Sequence, residues 1–541
     1  MYKIKLIVLL VVIASQHISL AQVIFQSSTL PIILINTNGQ EIPDDPKIIG
    51  TLNIINNDNG QLNRITDSPN EFDLKVAIEL RNQPNEWASN KASYSLELKD
   101  NLEVDTAVSL FGMGKEEDWV LHGPYADKSL IRNYLTFHLW NKTGRYGSDV
   151  QLCEVVINND YKGVFVFMES IKRDDDRVDI SKLNSDENTG DDLTGGYIFK
   201  IDKASTSSDV KSWTSSIPPQ DAQDENQVIT FRIEYPKPED ISTQQLTYIT
   251  NYVNKFEQAL AGSNYTNGDL GYRNYLDVSS FIDYSILTEM SRNVDGYRQD
   301  TYLYKDKDSK EGKLIIGPPW EFNFAFGNTD YCQGGDVQGW VMDFNSVCSS
   351  KDELNPFWWK RMMEDQSYVY SFKSRWQSLR NGAFQTSKIL FTIDSLATIL
   401  AVPQQRNFEK WPVLGTYIYP NNYVGSSYQD EIDYLKTWIT ERLAWMDTTI
   451  DLIEVTLDTK ASSDQTISIY PNPSKKILNV SSQKQIIGYQ ILDQTGKILL
   501  KATIEEINTT VINFTDQSKG LYYIQLTFVD GSHQSRSFIK N

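Results

Sequence analysis

The sequence predicts an α+β protein in which a mixed domain with a helical C-terminal subdomain precedes a small all-β module of Ig-like sandwich type. Short apolar runs broken by Asn, Asp, Gly and Pro fill residues 31–80, the mark of strands and turns. Residues 355–452 carry apolar, aromatic and Arg residues at helical spacing, as in FWWKRMM, SRWQSLR and WITERLAWM. Beyond the small polar stretch DTKASSDQT, evenly spaced runs alternate apolar and polar residues between turn signals.

The elements follow in order. Tyr94-Ser95-Leu96-Glu97-Leu98 alternates as a half-buried strand. From Asp127 to Trp140 the period becomes helical, with Asp127 as N-cap and Leu130, Ile131, Tyr134, Leu135 and His138 on one face. CEVVINNDYKGVFVFMESI reads as a hairpin turning at Asn158-Asn159-Asp160. GGYIFKID is a strand, and Ala204 to Gln227 a flexible polar insertion. Helices are expected at about 242–260 and 278–292. A loop from Arg292 to Asp300 then leads into the strands TYLYKD and KLIIG and the segment GPPWEFNFAFGN.

The N-terminus MYKIKLIVLLVVIASQHISLAQ places Lys3 and Lys5 before an apolar stretch, Leu6 to Ala14, and the small-x-small Ser19-Leu20-Ala21. That is the pattern of a signal peptide (residues 1–21), too short to span a bilayer, with cleavage expected after Ala21. No later run is apolar enough for a transmembrane segment. The chain's 541 residues far exceed the roughly 250–300 at which a single core stops growing, so two or more domains are expected.

A formal charge of −20, with acidic residues dispersed, disfavours nucleic acid and anionic lipid as partners. A phosphate-bearing ligand would need a local basic pocket or a divalent cation. Four histidines, one of them in the leader, are too few and too scattered for His-based zinc chemistry, so a metal would rest on carboxylates and amides and be Mg²⁺, Mn²⁺ or Ca²⁺. Three cysteines make no disulfide framework. Cys332 and Cys348 flank a Gly- and Asp-rich loop, and the sequence leaves their pairing open.

The densest chemical candidate is Asn293-Val294-Asp295-Gly296-Tyr297-Arg298 together with Trp320-Glu321-Phe322-Asn323. Phosphoryl transfer needs a carboxylate at the acceptor hydroxyl and further oxygens on the metal that bridges the phosphates. Asp295, in a loop after a helix, suits the first part, and Glu321 with Asn323 at i and i+2 the second. Without further context such residues are more often structural than catalytic.

LFGMGKEEDWVLHGPYADKSLIRN, VVINNDYKGVFVFMESIKRDDDRVDI, DDLTGGYIFKIDK, EMSRNVDGYRQDTYLYKD and GPPWEFNFAFGNTDYC resemble, in order, the segments of the CotH kinase family, named for a spore-coat protein. With FWWKRM and RNFEKWP, the likeness runs from about 25 to 455. It implies a divergent protein-kinase-like domain over residues 22–455 (a β-rich part at 22–90, a helical part at 355–455) that uses ATP with Mg²⁺ or Mn²⁺ to phosphorylate Ser or Thr of a protein partner. Within it, Asp295 takes the catalytic Asp position, with Asn293 beside it. Trp320 falls where the family's Trp can cover adenine, and Glu321 and Asn323 fall at the metal. Arg81 and, after the stretch that it begins, Lys91 are expected to bind the cofactor, Lys91 at phosphate, and Glu169 could orient that lysine or help bind the metal. The residues also allow plainer roles: Lys91 as a solvated strand-edge residue, Glu169 as a partner of Lys172 or Arg173, Trp320 as core.

Three positions depart from the family pattern. Residue 321 is Glu rather than Asp, one methylene longer. Residue 323 is Asn where the spore-coat type has a second Asp, which weakens Mg²⁺ binding. Arg81-Asn82-Gln83-Pro84-Asn85 replaces a Gly- and Ser-rich stretch, limiting backbone approach to phosphate. These departures, and the scarcity of ATP outside the cytoplasm, motivate the alternative of a catalytically inactive kinase-fold binding or surface-scaffold protein. Finally, residues 465–541, after a linker at 456–464, resemble the type IX secretion (Por) C-terminal sorting domain through Tyr470-Pro471-Asn472-Pro473, Asp493-Gln494-Thr495-Gly496-Lys497 and Gly520-Leu521-Tyr522-Tyr523. The expected route is Sec entry and type IX exit, to the outer-membrane surface or the extracellular space.

Overall fold

The computed structural model describes residues 23–57, 60–81, 91–205, 210–453, 467–493, 497–529 and 533–541. The leader with its cleavage site, most of the stretch after Arg81, the 456–464 linker and the centre of the 493–497 turn lie outside the described residues. The chain divides into one compact unit up to Val455 and another from Thr456.

In the first unit the strands run β1 (Ser27–Ser28), β2 (Ile32–Asn36), β3 (Ile48–Ile55), β4 (Asn63–Arg64), β5 (Phe72–Leu80), β6 (Tyr94–Lys99) and β7 (Asp118–His122). Helix α1 (Arg132–Asn141) precedes the hairpin β8 (Val150–Ile157) and β9 (Asp160–Glu169). The strands close as a barrel in the order β2-β3-β5-β6-β7-β9-β8, sealed by the parallel β2–β8 pair, around Ile33, Leu52, Val76, Leu96, Leu121, Val155 and Phe167. Closure leaves no exposed edge among these seven strands. The β8–β9 turn falls where the sequence places it, with Asn158 and Asn159 at φ of 51° and 63°, as a type I′ turn requires.

A second sheet follows, ordered β11-β12-β10-β13-β14, from β10 (Tyr197–Ile201), β11 (Ser212–Thr214), β12 (Thr230–Tyr235), β13 (Thr301–Lys305) and β14 (Leu314–Ile316). Helices α2 (Thr243–Ala261) and α3 (Val278–Ser291) match the expected spans, and α2 opens on a Ser242–Gln245 capping box. Phe199, Ile201, Phe231, Ile233 and Leu303 turn inward to the helices, so the alternate residues Lys200, Arg232, Glu234 and Tyr302 share the opposite face. Helices α4 (Phe344–Val347), α5 (Trp358–Met363), α6 (Gln366–Asn381), α7 (Thr386–Ile399), α8 (Pro403–Lys410) and α9 (Tyr428–Leu452) fill the expected helical part. Among the described residues no single helix is long and apolar enough to cross a membrane.

Two local expectations change. The helix expected from Asp127 begins at Arg132. Asp127 does not serve as N-cap, but its carboxylate accepts the Arg132 N–H at 2.9 Å from five residues upstream. The insertion at 204–227 is anchored: Trp213 stacks on Phe231 at 5.1 Å, Ser215 binds Glu257, and the Gln227 amide donates to the carbonyls of Ser349 and Lys351, both at 2.6 Å. Its polar composition conceals these few specific anchors. Cys332 and Cys348 are paired, with Cα atoms 5.5 Å apart, and Cys153 is buried and free.

The second unit holds β15 (Ser468–Tyr470), β16 (Ile477–Leu492), β17 (Ile498–Asn513), β18 (Gly520–Phe528) and β19 (His533–Lys540) in one sheet. Runs read from the sequence as separate strands merge into the sixteen-residue β16 and β17, which bend where their register shifts between Ser481 and Gly488. The sheet encloses Leu478, Val480, Ile491, Ile524, Leu526, Phe528 and Phe538.

Glu257 of α2 is fully buried, with its oxygens on Ser215 Oγ at 2.8 Å and Trp358 Nε1 at 2.9 Å. Burial pushes its pKa up to about 7. The folded chain therefore keeps a proton that the unfolded chain loses above its ordinary value of 4.5. The stability gained is full below that value and is lost as pH rises through 7. Glu257→Gln is expected to flatten this window and to be more stable than the wild type at pH 8, by up to about 3 kcal/mol, as read in thermal melts.

Candidate functional site

Arg81 follows β5 of the barrel, its backbone N–H bound to Ser93 O at 2.9 Å, and it meets the polar face of the second sheet through Trp320, which packs on Tyr302. The Arg81 guanidinium lies 4.7 Å over the Trp320 ring, with Nη2 4.0 Å from Glu321 Oε1. Trp320 is 3 % exposed and packs on Phe137 and Tyr302. Among the described groups, its Nε1 and the His122 Nε2 are sealed without hydrogen-bond partners. Burial, reinforced by Lys91 and Arg81 against Asp127, pushes the His122 pKa down to about 4, so this imidazole is neutral.

The turn that carries Glu321 is held from two helices. Arg132, at the start of α1, pairs with Asp127 at 2.6 Å and donates to the carbonyls of Ala325 at 3.1 Å and Phe326 at 3.4 Å. Asn133 Oδ1 accepts the Phe322 N–H at 2.7 Å, and from the other side the Phe326 N–H donates to Ser291 O, the last residue of α3, at 2.7 Å. Glu321 sits at φ 52° with its side chain half exposed. Asn323 is part-buried, and its carbonyl accepts from Asn328 Nδ2 at 2.9 Å.

The loop after α3 starts with Arg292 in the left-handed region, φ 47°. Asn293 is 2 % exposed, and its Oδ1 accepts the Asp295 N–H at 3.3 Å. The Asp295 carboxylate accepts from Arg298 Nη2 at 2.5 Å, and its charge raises the pKa of Tyr331 and Tyr419, secondary to their burial. The loop ends on Asp300, a residue sequence reasoning passed over. Burial raises the Asp300 pKa to about 6; Lys200 opposes this and the neighbouring charges of Glu321 and Asp202 add to it. Asp300 thus shares a charge cluster with Glu321. It stands at φ 46°, so both acids adopt a conformation costing a non-glycine residue about 1–3 kcal/mol, of a kind that gathers at functional sites. A signal was present: an acid five residues after Asp295, directly before a strand. Its backbone angle and its approach to Glu321 were not readable. A cleft lined by Asp202, Thr230, Arg298 and Glu353 reaches the ion pairs that hold Asp295 and Asp300, through Arg298 and through Asp202 with Lys200.

Lys91 and Glu169 lie elsewhere. Lys91 is 2 % exposed, and its ammonium donates to Val164 O at 2.6 Å, Asn407 Oδ1 at 2.7 Å and Pro124 O at 3.3 Å, so its three donors are taken. It is neither a solvated edge residue nor directed at an open site. Glu169, 1 % exposed, accepts from Tyr146 OH at 3.1 Å and the Asp149 N–H at 3.0 Å, with Arg177 Nε at 3.9 Å. Lys172 pairs instead with Glu116, Glu117 and Asp118, filling the acidic cluster those three form.

Residues 86–446 match the family model described as CotH kinase protein, and residues 468–541 match the one described as secretion system C-terminal sorting domain. No curated protein matches the chain. The tail marks the chain for the type IX secretion machinery and for the cell surface or extracellular space.

Replacing Arg132 by Met leaves Asp127 buried without its counter-charge and frees two carbonyls of the Glu321 turn. A loss of about 3–5 kcal/mol is expected in denaturant unfolding. Asp127→Asn/Arg132→Met together should lose less than Arg132→Met alone.

Proposed function

The chain belongs to the CotH kinase protein family, and on that premise we propose that its first unit is a divergent protein-kinase-like module that transfers a phosphoryl group from ATP to Ser or Thr of a protein partner at or beyond the cell surface. The observation that carries this reading is the charge cluster that Asp300 shares with Glu321, two acids on left-handed backbone, with Glu321 beside the Arg81–Trp320 pair. Kinase catalytic loops place a metal-binding Asn five residues after the catalytic Asp, and Asp295 and Asp300 have that spacing. Asp300, Glu321 and Asn323 offer hard oxygens of the kind Mg²⁺ or Mn²⁺ takes, and they would hold the ion. Once bound, that ion would neutralise phosphate charge.

Asp295, fixed by Arg298, would accept the proton of the acceptor hydroxyl, with Asn293 holding the loop. Because Arg81 already covers the Trp320 ring and Lys91 is committed to protein oxygens, Arg81 is the cation a nucleotide would meet first. In the same reading the tail is an Ig-like sandwich whose two layers come from the bent halves of β16 and β17.

One observation favours a catalytically inactive scaffold or binding protein instead: the lysine expected at phosphate has no donor left for it. Incubating the full chain with labelled ATP, Mn²⁺ or Mg²⁺ and proteins of the same surface separates the two. Transfer is expected, reduced about 10²–10⁴-fold by Asp295→Asn. Equal labelling by both proteins removes the kinase reading, and calorimetry showing no metal-dependent nucleotide binding would favour the scaffold.

A further inference from the structure

Lys200 lies mid-strand in β10, opposite Arg232 of β12 and Tyr302 of β13. Its side chain is 12 % exposed. The ammonium is 2.9 Å from Asp202 Oδ2, 3.2 Å from Asp300 Oδ1 and 3.5 Å from Glu234 Oε1, and 5.4 Å from the Tyr302 ring centre. Three carboxylates from three separate stretches of chain converge on one positive centre. That is how oxygens gather on a bound cation, here with an ammonium in its place. Arg232 holds Asp202 from the other side at 3.0 Å, and Arg81 approaches Glu321. The carboxylates of Asp202, Glu234, Asp300 and Glu321 thus face the fixed cations Lys200, Arg232 and Arg81. Four carboxylates stand against three cations, a small negative excess.

We propose that Lys200 is a positioning residue that takes the place of a second divalent cation, fixing Asp300 and leaving its side toward Glu321 to receive a single metal ion. The inference rests on the kinase-like reading of the cleft. Two-cation phosphoryl-transfer sites neutralise their carboxylates and phosphates with ions that must bind from solution. A lysine on a central strand supplies one of those charges permanently. It also holds Asp300 in its left-handed conformation, because the Asp300 carboxylate is tied to the neighbouring strand and not only to its own loop. Without Lys200, Asp202, Glu234 and Asp300 would be left around an unfilled centre, and a divalent ion would enter it.

The full-length chain is titrated with Mn²⁺ alone, free ion being read by electron paramagnetic resonance, and the ions assigned to the site are those lost in Asp300→Asn. The wild type is expected to bind one such ion. Lys200→Met is expected to bind two, the first about tenfold more tightly because a nearby positive charge is gone. Lys200→Arg, which keeps the charge, should stay at one. None or two in the wild type, or one of unchanged affinity in Lys200→Met, would overturn the proposal. Where a thermal melt shows that Lys200→Met has not folded, the wild type and Lys200→Arg still test the proposal, since any count other than one in either would overturn it. Absent phosphoryl transfer with the expected ion counts removes only the kinase reading, whereas transfer with unchanged counts in Lys200→Met removes only the role of Lys200.

Discussion

The buried pair of Asp127 and Arg132 is the constraint on which the Glu321 turn depends. Their side chains are 2 % and 0 % exposed, and desolvating both costs much of what their attraction returns. The pair's main effect is therefore geometric. Asp127 uses its second oxygen on the first N–H of α1, and Arg132 turns its remaining donors to the carbonyls of Ala325 and Phe326. The start of a helix is thereby locked to a turn nearly two hundred residues later in the chain. Since Phe326 also binds the last carbonyl of α3, that turn and the Asp295 loop share one support. Glu321 can then hold a strained backbone angle because its turn is fixed from both sides.

Charge follows the same economy. An acidic chain has little affinity for phosphate over most of its surface, and the exceptions are local. Arg81, Lys200 and Arg232 gather at the barrel mouth and on the polar sheet face. Each is matched to carboxylates, so the site is close to neutral while the surface around it is not. Alternation along β10, β12 and β13 makes this possible, because the residues between these charges fill the core.

Much of this was legible in sequence. The helical spans at 243–261 and 278–291 followed from period and caps, and the Asn158-Asn159 turn from residues that tolerate positive φ. Barrel closure was not legible, because the parallel β2–β8 pair joins strands more than a hundred residues apart, and no local pattern records such a partner. At the site, Asp295, Trp320 and Glu321 stood out by type and spacing. Asp300 and Lys200 did not: they come together through pairing across the second sheet and through the backbone angle of Asp300, which are tertiary properties.

Lys91 and Arg81 show why position along a chain does not by itself assign a role. Both are cations that flank the same stretch of sequence, residues 82–90, and both were expected at the cofactor. Lys91 sits in three hydrogen bonds, one of them to Asn407 at the helix α8 that docks on β9. Each bond to a charged group is worth about 1.5–3 kcal/mol, so moving Lys91 to a ligand would break several such interactions at once. Arg81 is held by a ring contact worth about 0.5–2 kcal/mol and by a 4.0 Å approach to Glu321, and 28 % of its side chain is exposed. A phosphate could recruit Arg81 at small cost and Lys91 only at large cost. Lys91 instead fastens the helical part to the barrel, and of the two only Arg81 keeps exposed surface that an anion could reach.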